Sequence, residues 1–278
     1  MQVEIRLLLE SDIPAAMQLK EAAGWNQTED DWRRLLLLEP NGCFCAIKDG
    51  ELVGTTTTTT YGDELAWIGM VLIAPQHRRQ GIAAKLMNVA LDYLKGKVAT
   101  IKLDATALGQ PVYEKFGFEV ESLVERWSGA GNFRGCEDQT GIDRDSLGEL
   151  LALDRLAFNA DRSKLIGDLI RKSSVPPVLV RDEALSGYAL ARNGTRADYV
   201  GPIVAKDPEQ VVMLIDRMFS QLHGRRAYID FNTECGVGTS VLSHRGFVKE
   251  RDLIRMTSGR PATKTSPLVV GIAGPEIG

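Results

Sequence analysis

Between Cys43 and Pro75 the chain reads "CFCAIKDGELVGTTTTTTYGDELAWIGMVLIAP", three runs of strand-forming residues broken at Asp49-Gly50 and at Gly62 to Glu64. Those breaks carry hairpin-turn chemistry, so the segment predicts a three-stranded meander. The six threonines Thr55 to Thr60 fall in its middle strand, where β-branched side chains suit a pleated backbone. A linker there would leave Leu52-Val53 and Leu65 to Ile73 with no partner between them. The period then changes. Ile82, Leu86, Val89, Ala90, Tyr93 and Leu94 follow a helical repeat. Upstream, a short strand precedes a helix capped by Ser11 or Asp12 with Pro14 in its first turn, and a second helix is capped by Thr28 or Asp30 and stops before Pro40. Downstream, "VATIKLDAT" reads as a strand, "GQPVYEKFGFE" as a short helix, and a further strand follows. The order β-α-α-β-β-β-α-β-α-β is an α+β layout with the sheet as spine.

The pattern then repeats. Asp145 stands 133 residues after Asp12, Gly187 133 after Gly54, Gly201 132 after Gly69 and Gly246 129 after Gly117. The offset is nearly constant, then loses about three residues where "APQHRRQGIAAKL" gives way to "AKDPEQVVML". Two tandem domains of similar fold are expected, 1–135 and 140–278, joined between Arg134 and Asp145, with an ordered C-terminal tail.

Composition narrows the class. The chain has 278 residues, 44% hydrophobic and 25% charged, with a net charge of −4. That is a globular composition with no general attraction for nucleic acid or an anionic membrane. The acidic start lacks a signal-peptide pattern, and the ten-residue apolar run 66–75 is too short to span a bilayer. Cys43, Cys45, Cys136 and Cys235 form no C-x-x-C pair, which favours free thiols in a reducing cytoplasm.

The strongest chemical signal is "PQHRRQGIA", Pro75 to Ala83, between an apolar strand and a helix. Its Gly81 and small Ala83 let backbone amides and a helix N-terminus converge on one point, a setting for phosphate oxygens, with Arg78 and Arg79 adding charge. By spacing alone it is also an ordinary strand-to-helix turn with two solvated arginines. The segment resembles the acyl-CoA signature R/Q-x-x-G-x-G/A of the GNAT acyltransferase superfamily, carried here by Arg78, Gly81 and Ala83. "VYEKFGFE", Val112 to Glu119, resembles that superfamily's later motif, and the resemblance covers roughly residues 3–127. It implies tandem GNAT-like domains, each with a mixed, mostly antiparallel sheet, helices on both faces, and two splayed parallel strands forming an acyl-CoA cleft.

On that resemblance the donor is an acyl-CoA, most simply acetyl-CoA, with no metal. Its pantetheine would pair with Val71, Leu72 and Ile73, and its pyrophosphate would sit on the amides of Arg79, Gln80, Gly81, Ile82, Ala83 and Ala84. A primary amine of a small molecule or peptide would attack the thioester directly, through a tetrahedral intermediate, and Tyr113 would protonate the leaving thiolate. The base is Asp104 or Glu64. Thr106 stands where the family often has asparagine, which leaves that pantetheine contact open. His77 reads as packing or solvent-facing. The acceptor would enter beside Trp25, Trp32, Tyr61, Glu64 and Trp67, where core packing is the alternative for the tryptophans. The acidic residues following Trp25 are expected to meet a cationic amine, and one face of the threonine strand to border the acceptor pocket. The second copy has Leu242 in the tyrosine's place and "AKDPEQ" for the phosphate loop, implying a lid over the first domain's acceptor pocket. Two other functions stay open: a non-catalytic acyl-CoA-binding module, and O-acyl transfer to a hydroxyl.

Overall fold

Capping residues set the helix starts. Thr28 and Asp31 form a reciprocal capping box, with Asp31 N–H on the Thr28 hydroxyl at 3.3 Å and Thr28 N–H on the Asp31 carboxylate at 2.8 Å. Asp12 behaves differently from the expected cap. Its carboxylate turns back to accept from Leu9 N–H at 2.8 Å and from both terminal nitrogens of Arg6 at 2.6 and 2.9 Å. Asp12 still holds the N-cap position of that helix, without a side-chain cap bond, and Pro14 falls in its first turn as expected.

The computed structural model describes residues 3–130, 142–260 and 266–278; Cys136 and most of the expected linker lie outside them. The first half runs β1 (Glu4–Leu7), α1 (Ile13–Ala22), α2 (Glu29–Leu38), β2 (Cys43–Lys48), β3 (Glu51–Tyr61), β4 (Leu65–Ile73), α3 (Ile82–Leu94), β5 (Thr100–Ala105), α4 (Gln110–Glu114) and β6 (Glu119–Gly129). The second runs α5 (Arg144–Phe158), α6 (Ser163–Arg171), β7 (Val178–Arg181), β8 (Leu185–Arg192), β9 (Asp198–Ala205), α7 (Pro208–Gln221), β10 (Ala227–Asn232), α8 (Ser240–Ser243) and β11 (Val248–Gly259), and ends in β12 (Val269–Gly271). From its first helix pair onward the second half repeats the element order of the first. The threonine run lies inside β3, as its neighbours require.

Instead of two separate sheets there is one, in the order β1-β2-β3-β4-β5-β11-β6-β10-β12-β9-β8-β7. Each half gives its last strand to the other. β11 pairs antiparallel with β5, Arg255 opposite Asp104, and β6 pairs antiparallel with β10, Arg126 opposite Asp230. The exchange gives the inner edges of β5 and β10 partners, where each would otherwise present unpaired N–H and C=O groups. Both central couplings are ion pairs, with Arg255 bidentate to Asp104 and Arg126 bidentate to Asp230.

Helices cover both faces. α1, α2, α5 and α6 share one core with Trp32, Leu35, Leu150, Leu165 and Leu169. Opposite them, α3 packs on Ala66, Ile68 and Leu103, and α7 on Val200, Ile203 and Phe231. β4 and β5 are parallel partners at Leu65/Thr100, Ala66/Ile101 and Trp67/Lys102, and then part. In the second half β9 and β10 pair similarly from Asp198/Ala227 to Val200/Ile229, but β12 lies between them beyond that point. The tail continues across to β4. A Cβ on Gly69 would stand 2.7 Å from Glu276 Cα, and one on its counterpart Gly201 would stand 2.1 Å from the Ile272 carbonyl. Only glycine lets the tail approach both strands so closely.

Candidate active site

The parting of β4 and β5 opens a cleft. Met70 and Val71 line one wall, Asp104 and Thr106 the other, and Tyr113 of α4 reaches in between. Met70 has a left-handed backbone (φ 49°), and the β3–β4 register slips at this point, so β4 carries a bulge. A bulge re-aims the strand's groups out of the ladder. Thr55 holds it by donating its hydroxyl to the Met70 carbonyl at 2.8 Å. This is how the threonine tract contributes: no threonine side chain of it lines the cleft, and Thr55 to Thr59 are buried within the sheet.

Beyond β4, Pro75–His77 forms a single 3-10 turn, Arg79 is left-handed at φ 60°, and Gly81 at φ 76° leads into α3. A Cβ on Gly81 would meet nothing within 4 Å, so its backbone angle, not space, calls for glycine. The first-turn amides of α3, at Ile82, Ala83 and Ala84, have no preceding helical carbonyl to bind. Arg78 donates from Nε to the Ile73 carbonyl at 3.3 Å. Lys48 bonds the Gln80 side chain at 3.1 Å, a cation that sequence reading missed. Leu72 is buried beneath the loop. Helix-start amides, Arg78 and Lys48 suit a pyrophosphate, so these residues fit the donor that the family resemblance implies.

Among the described residues the Tyr113 hydroxyl has no hydrogen-bond partner. Burial pushes it up to about 12. Asp104 lines the cleft, yet both of its oxygens accept from Arg255 at 2.8 Å, and its side chain has no exposed surface. Burial pushes its carboxyl above the usual range, with Arg255 opposing. Glu64 lies in the exposed β3–β4 turn, away from the cleft.

Of the five expected acceptor residues, Trp25 alone lines the cleft. Trp32 is fully buried in the core. Tyr61 donates to the Ile277 carbonyl at 2.6 Å and Trp67 to the Pro275 carbonyl at 3.0 Å, so both serve to hold the tail. The acidic residues after Trp25 do not face an incoming amine. Glu29 and Asp30 pair outward with Arg33 and Lys172, while buried Asp31 binds Arg34 and Arg192.

Other groups take that place. Gln27 of the α1–α2 loop, Arg126 of β6, Arg251 and Leu253 of β11, and Pro275 and Glu276 of the tail close the cleft. Glu276 accepts from Gln27 at 2.9 Å and from Arg192 at 3.1 Å. Arg192 also binds Asp31, and Arg34 links Asp31 to Asp168, so a buried chain of charges ties α6, α2, β8 and the tail together. Burial pushes the Glu276 carboxyl above the usual glutamate range, against the pull of Arg192. These groups lie far from the recognisable motifs in sequence. The one signal was the set of paired glycines, whose meaning emerges only with the tail in place.

Comparison with known proteins bears on the family and the fold. A model of the acetyltransferase (GNAT) family matches residues 9–118, and one of the acetyltransferase (GNAT) domain matches 150–268. The uncharacterised N-acetyltransferase YitH of Bacillus subtilis is 27% identical over 230 residues, covering 80% of this chain and 79% of YitH. A holothin acyltransferase from Pseudoalteromonas is 22% identical over 261 residues, 92% of this chain and 88% of the relative. In fold, a putative acetyltransferase from Pyrococcus horikoshii superposes with a TM-score of 0.83 at 22% identity, over 99% of this chain and 96% of that one. A GCN5-related N-acetyltransferase from Sphaerobacter thermophilus reaches 0.67 at 13% identity, over 94% and 97%. Both repeats match GNAT models and the splayed cleft lies in the first, so the chain belongs to the GNAT family, as a GNAT-type acetyltransferase with a second GNAT-like domain at its C-terminal end.

Proposed function

We propose that this acetyltransferase is an acyl-CoA-dependent N-acyltransferase that moves an acyl group, most simply acetyl from acetyl-CoA, to a primary amine of a small molecule or peptide. The observation that carries the reading is one cleft joining the β4 bulge, the Tyr113 hydroxyl and a buried carboxylate. In this reading residues 1–135 are the catalytic unit and 140–278 its partner, counted by repeat, since β6 and β11 lie in each other's half. Free buried thiols at Cys43, Cys45 and Cys235 support a reducing cytoplasm. Among the described residues no helix is long and apolar enough to cross a membrane.

The residues divide the work as follows. Val71, Leu72 and Ile73 offer strand backbone to the pantetheine arm, with Thr106 opposite. Arg78, Arg79, Gln80, Gly81, Ile82, Ala83 and Ala84 hold the pyrophosphate. An amide at the bulge faces the thioester oxygen and stabilises the negative charge that forms there. The amine nitrogen bonds to the thioester carbon, the C–S bond breaks, and Tyr113 gives its proton to the sulfur. Burial keeps Tyr113 protonated, as an acid requires. A free thiol sits near 8.5, so the transfer is uphill for the free groups, and any loss of water around the leaving sulfur raises its proton affinity and narrows the gap. For the amine's proton Glu276 suits better than Asp104, whose oxygens are both taken by Arg255, or Glu64, which stands outside. Asp104 meets a guanidinium with both oxygens, whereas Glu276 meets one, Arg192, with a single oxygen and the neutral Gln27 amide with the other, so less of its basicity is held by charge. In the second half, β12 lies in the gap a donor would need.

Thiol release from acetyl-CoA with an amine panel tests the reading. Tyr113→Phe should lower turnover about 10²- to 10⁴-fold while calorimetric affinity for acetyl-CoA holds. Unchanged turnover removes Tyr113 from the role. Tight acetyl-CoA binding with no thiol release for any amine makes the protein a binding module instead.

A further inference from the structure

β6 and β11 set Arg126 directly opposite Arg251. Like charges facing each other across a sheet destabilise it. Asp230 neutralises Arg126 through Nε and Nη2, at 2.7 and 2.6 Å. Arg251 feels Asp230 and Glu250 only at a distance: it makes no hydrogen bond or ion pair among the described residues, and its Nε is buried without an acceptor. Both arginines line the reaction cleft, and both also line a second, solvent-open cavity that abuts it. Arg196 and Arg226 stand in the walls of that cavity. Arg226 is paired with Glu250 at 2.7 Å, whereas Arg196 has no carboxylate partner among the described residues. Of these four guanidinium groups two are directly paired and two are not among the described residues, and one of the unpaired two, Arg251, lines both cavities.

Resting on the transfer reading above, we infer that the acceptor is an amine carrying its own anionic group, a carboxylate or a phosphate, which binds Arg251 while the amine reaches Glu276. Four observations converge. A half-buried guanidinium with an orphan N–H needs an acceptor, and an anion bound there supplies two oxygens in the fork geometry that arginine matches. The anion would also relieve the repulsion between Arg251 and Arg126. Arg126 keeps Nη1 free of hydrogen bonds among the described residues, so it can serve as a second donor. Finally, the same charge repels a polycationic amine, and the acidic residues near Trp25 that would have attracted one are turned away or buried. The face that selects the acceptor thus comes largely from the two exchanged strands.

Matched acceptors test this with the full chain and acetyl-CoA. The amino acids, their carboxamides and the corresponding decarboxylated amines differ only in the anion, and aminoalkyl phosphates distinguish phosphate from carboxylate. Thiol release should favour anionic members by about 10- to 100-fold in kcat/KM, the worth of a charged hydrogen-bonded contact. Arg251→Met should raise the KM of the preferred acceptor by a similar factor, and Arg251→Lys should restore part of it. An uncharged or polycationic amine as best acceptor overturns the inference, as does an unchanged acceptor KM in R251M. Should no amine release thiol, the transfer reading fails on its own, and calorimetry with N-acetylated products in the presence of CoA still decides the anion site. Tighter binding of N-acetyl amino acids or phosphates than of the decarboxylated N-acetylamines, lost in R251M, supports the inference; equal binding or none overturns it.

Discussion

Asp104→Asn separates the two roles open to that carboxylate. Arg255 donates to it through Nε and Nη2, both at 2.8 Å, and neither side chain keeps more than 2% exposure. Asparagine retains one acceptor oxygen and sets an amide donor against the other nitrogen. One charge-assisted bond, worth about 1.5–3 kcal/mol, is lost, and breaking a buried pair from one side costs about 3–5 kcal/mol in all. The guanidinium keeps the Trp67 ring at 4.6 Å and the field of Glu121, so the loss should fall near the lower figure, about 3 kcal/mol. With a urea m-value of about 3 kcal/mol/M, the main unfolding transition moves down by about 1 M. Tryptophan fluorescence reports it through Trp67. Adding Arg255→Met removes the stranded charge and should return most of the loss, while turnover per folded molecule changes little in both variants. A D104N protein that unfolds where the parent does but turns over 100-fold more slowly would refute the structural role and return Asp104 to the chemistry.

Other outcomes follow from the same geometry. Gly69→Ala and Gly201→Ala each drive a methyl into the tail backbone, so each should lose about 1–3 kcal/mol by denaturant titration, with G69A also lowering turnover because the displaced segment carries Glu276. Glu276 must be deprotonated to accept the amine's proton, and burial raises its pKa, so kcat/KM should rise with pH along an acid limb above the ordinary glutamate value; that limb should vanish in E276Q. Gly81→Val strains a φ of 76° and should raise the acetyl-CoA KM at least tenfold while leaving acceptor preference unaltered. Burial pushes the Cys43 and Cys45 thiols up to about 12 and about 11, so iodoacetamide at pH 8 should spare both in the folded protein and label both in urea, read by peptide mass mapping.

What could be read from the sequence was local or periodic. The element order, the threonine strand, the turn at Gly81, Tyr113 and the second repeat all lie in stretches where neighbouring residues decide the outcome. The acceptor side depended on distant pairings. Trp67 and Tyr61 looked like pocket walls because aromatic residues near a cleft often are, yet their polar atoms bind the tail, more than 200 residues away in the chain. Asp104 looked like a free carboxylate because its partner lies 151 residues downstream on a strand of the other repeat. Nothing near Glu276 or Arg251 singles them out in the sequence: the exchanged strand β11 brings Arg251 to the cleft, and the tail that crosses to β4 brings Glu276.

That exchange also sets a timetable for synthesis. The donor-binding elements of the first half leave the ribosome early, but β5 then has an open edge until β11 arrives to cover it. Contacts of such long sequence separation form late and slowly, and an exposed strand edge invites mispairing meanwhile. The cleft gains Arg251 only with β11, and Glu276 only when the tail follows. A nascent polypeptide carrying just the first repeat would present the Gly81 loop and Tyr113 without the wall that Arg251 and Glu276 supply.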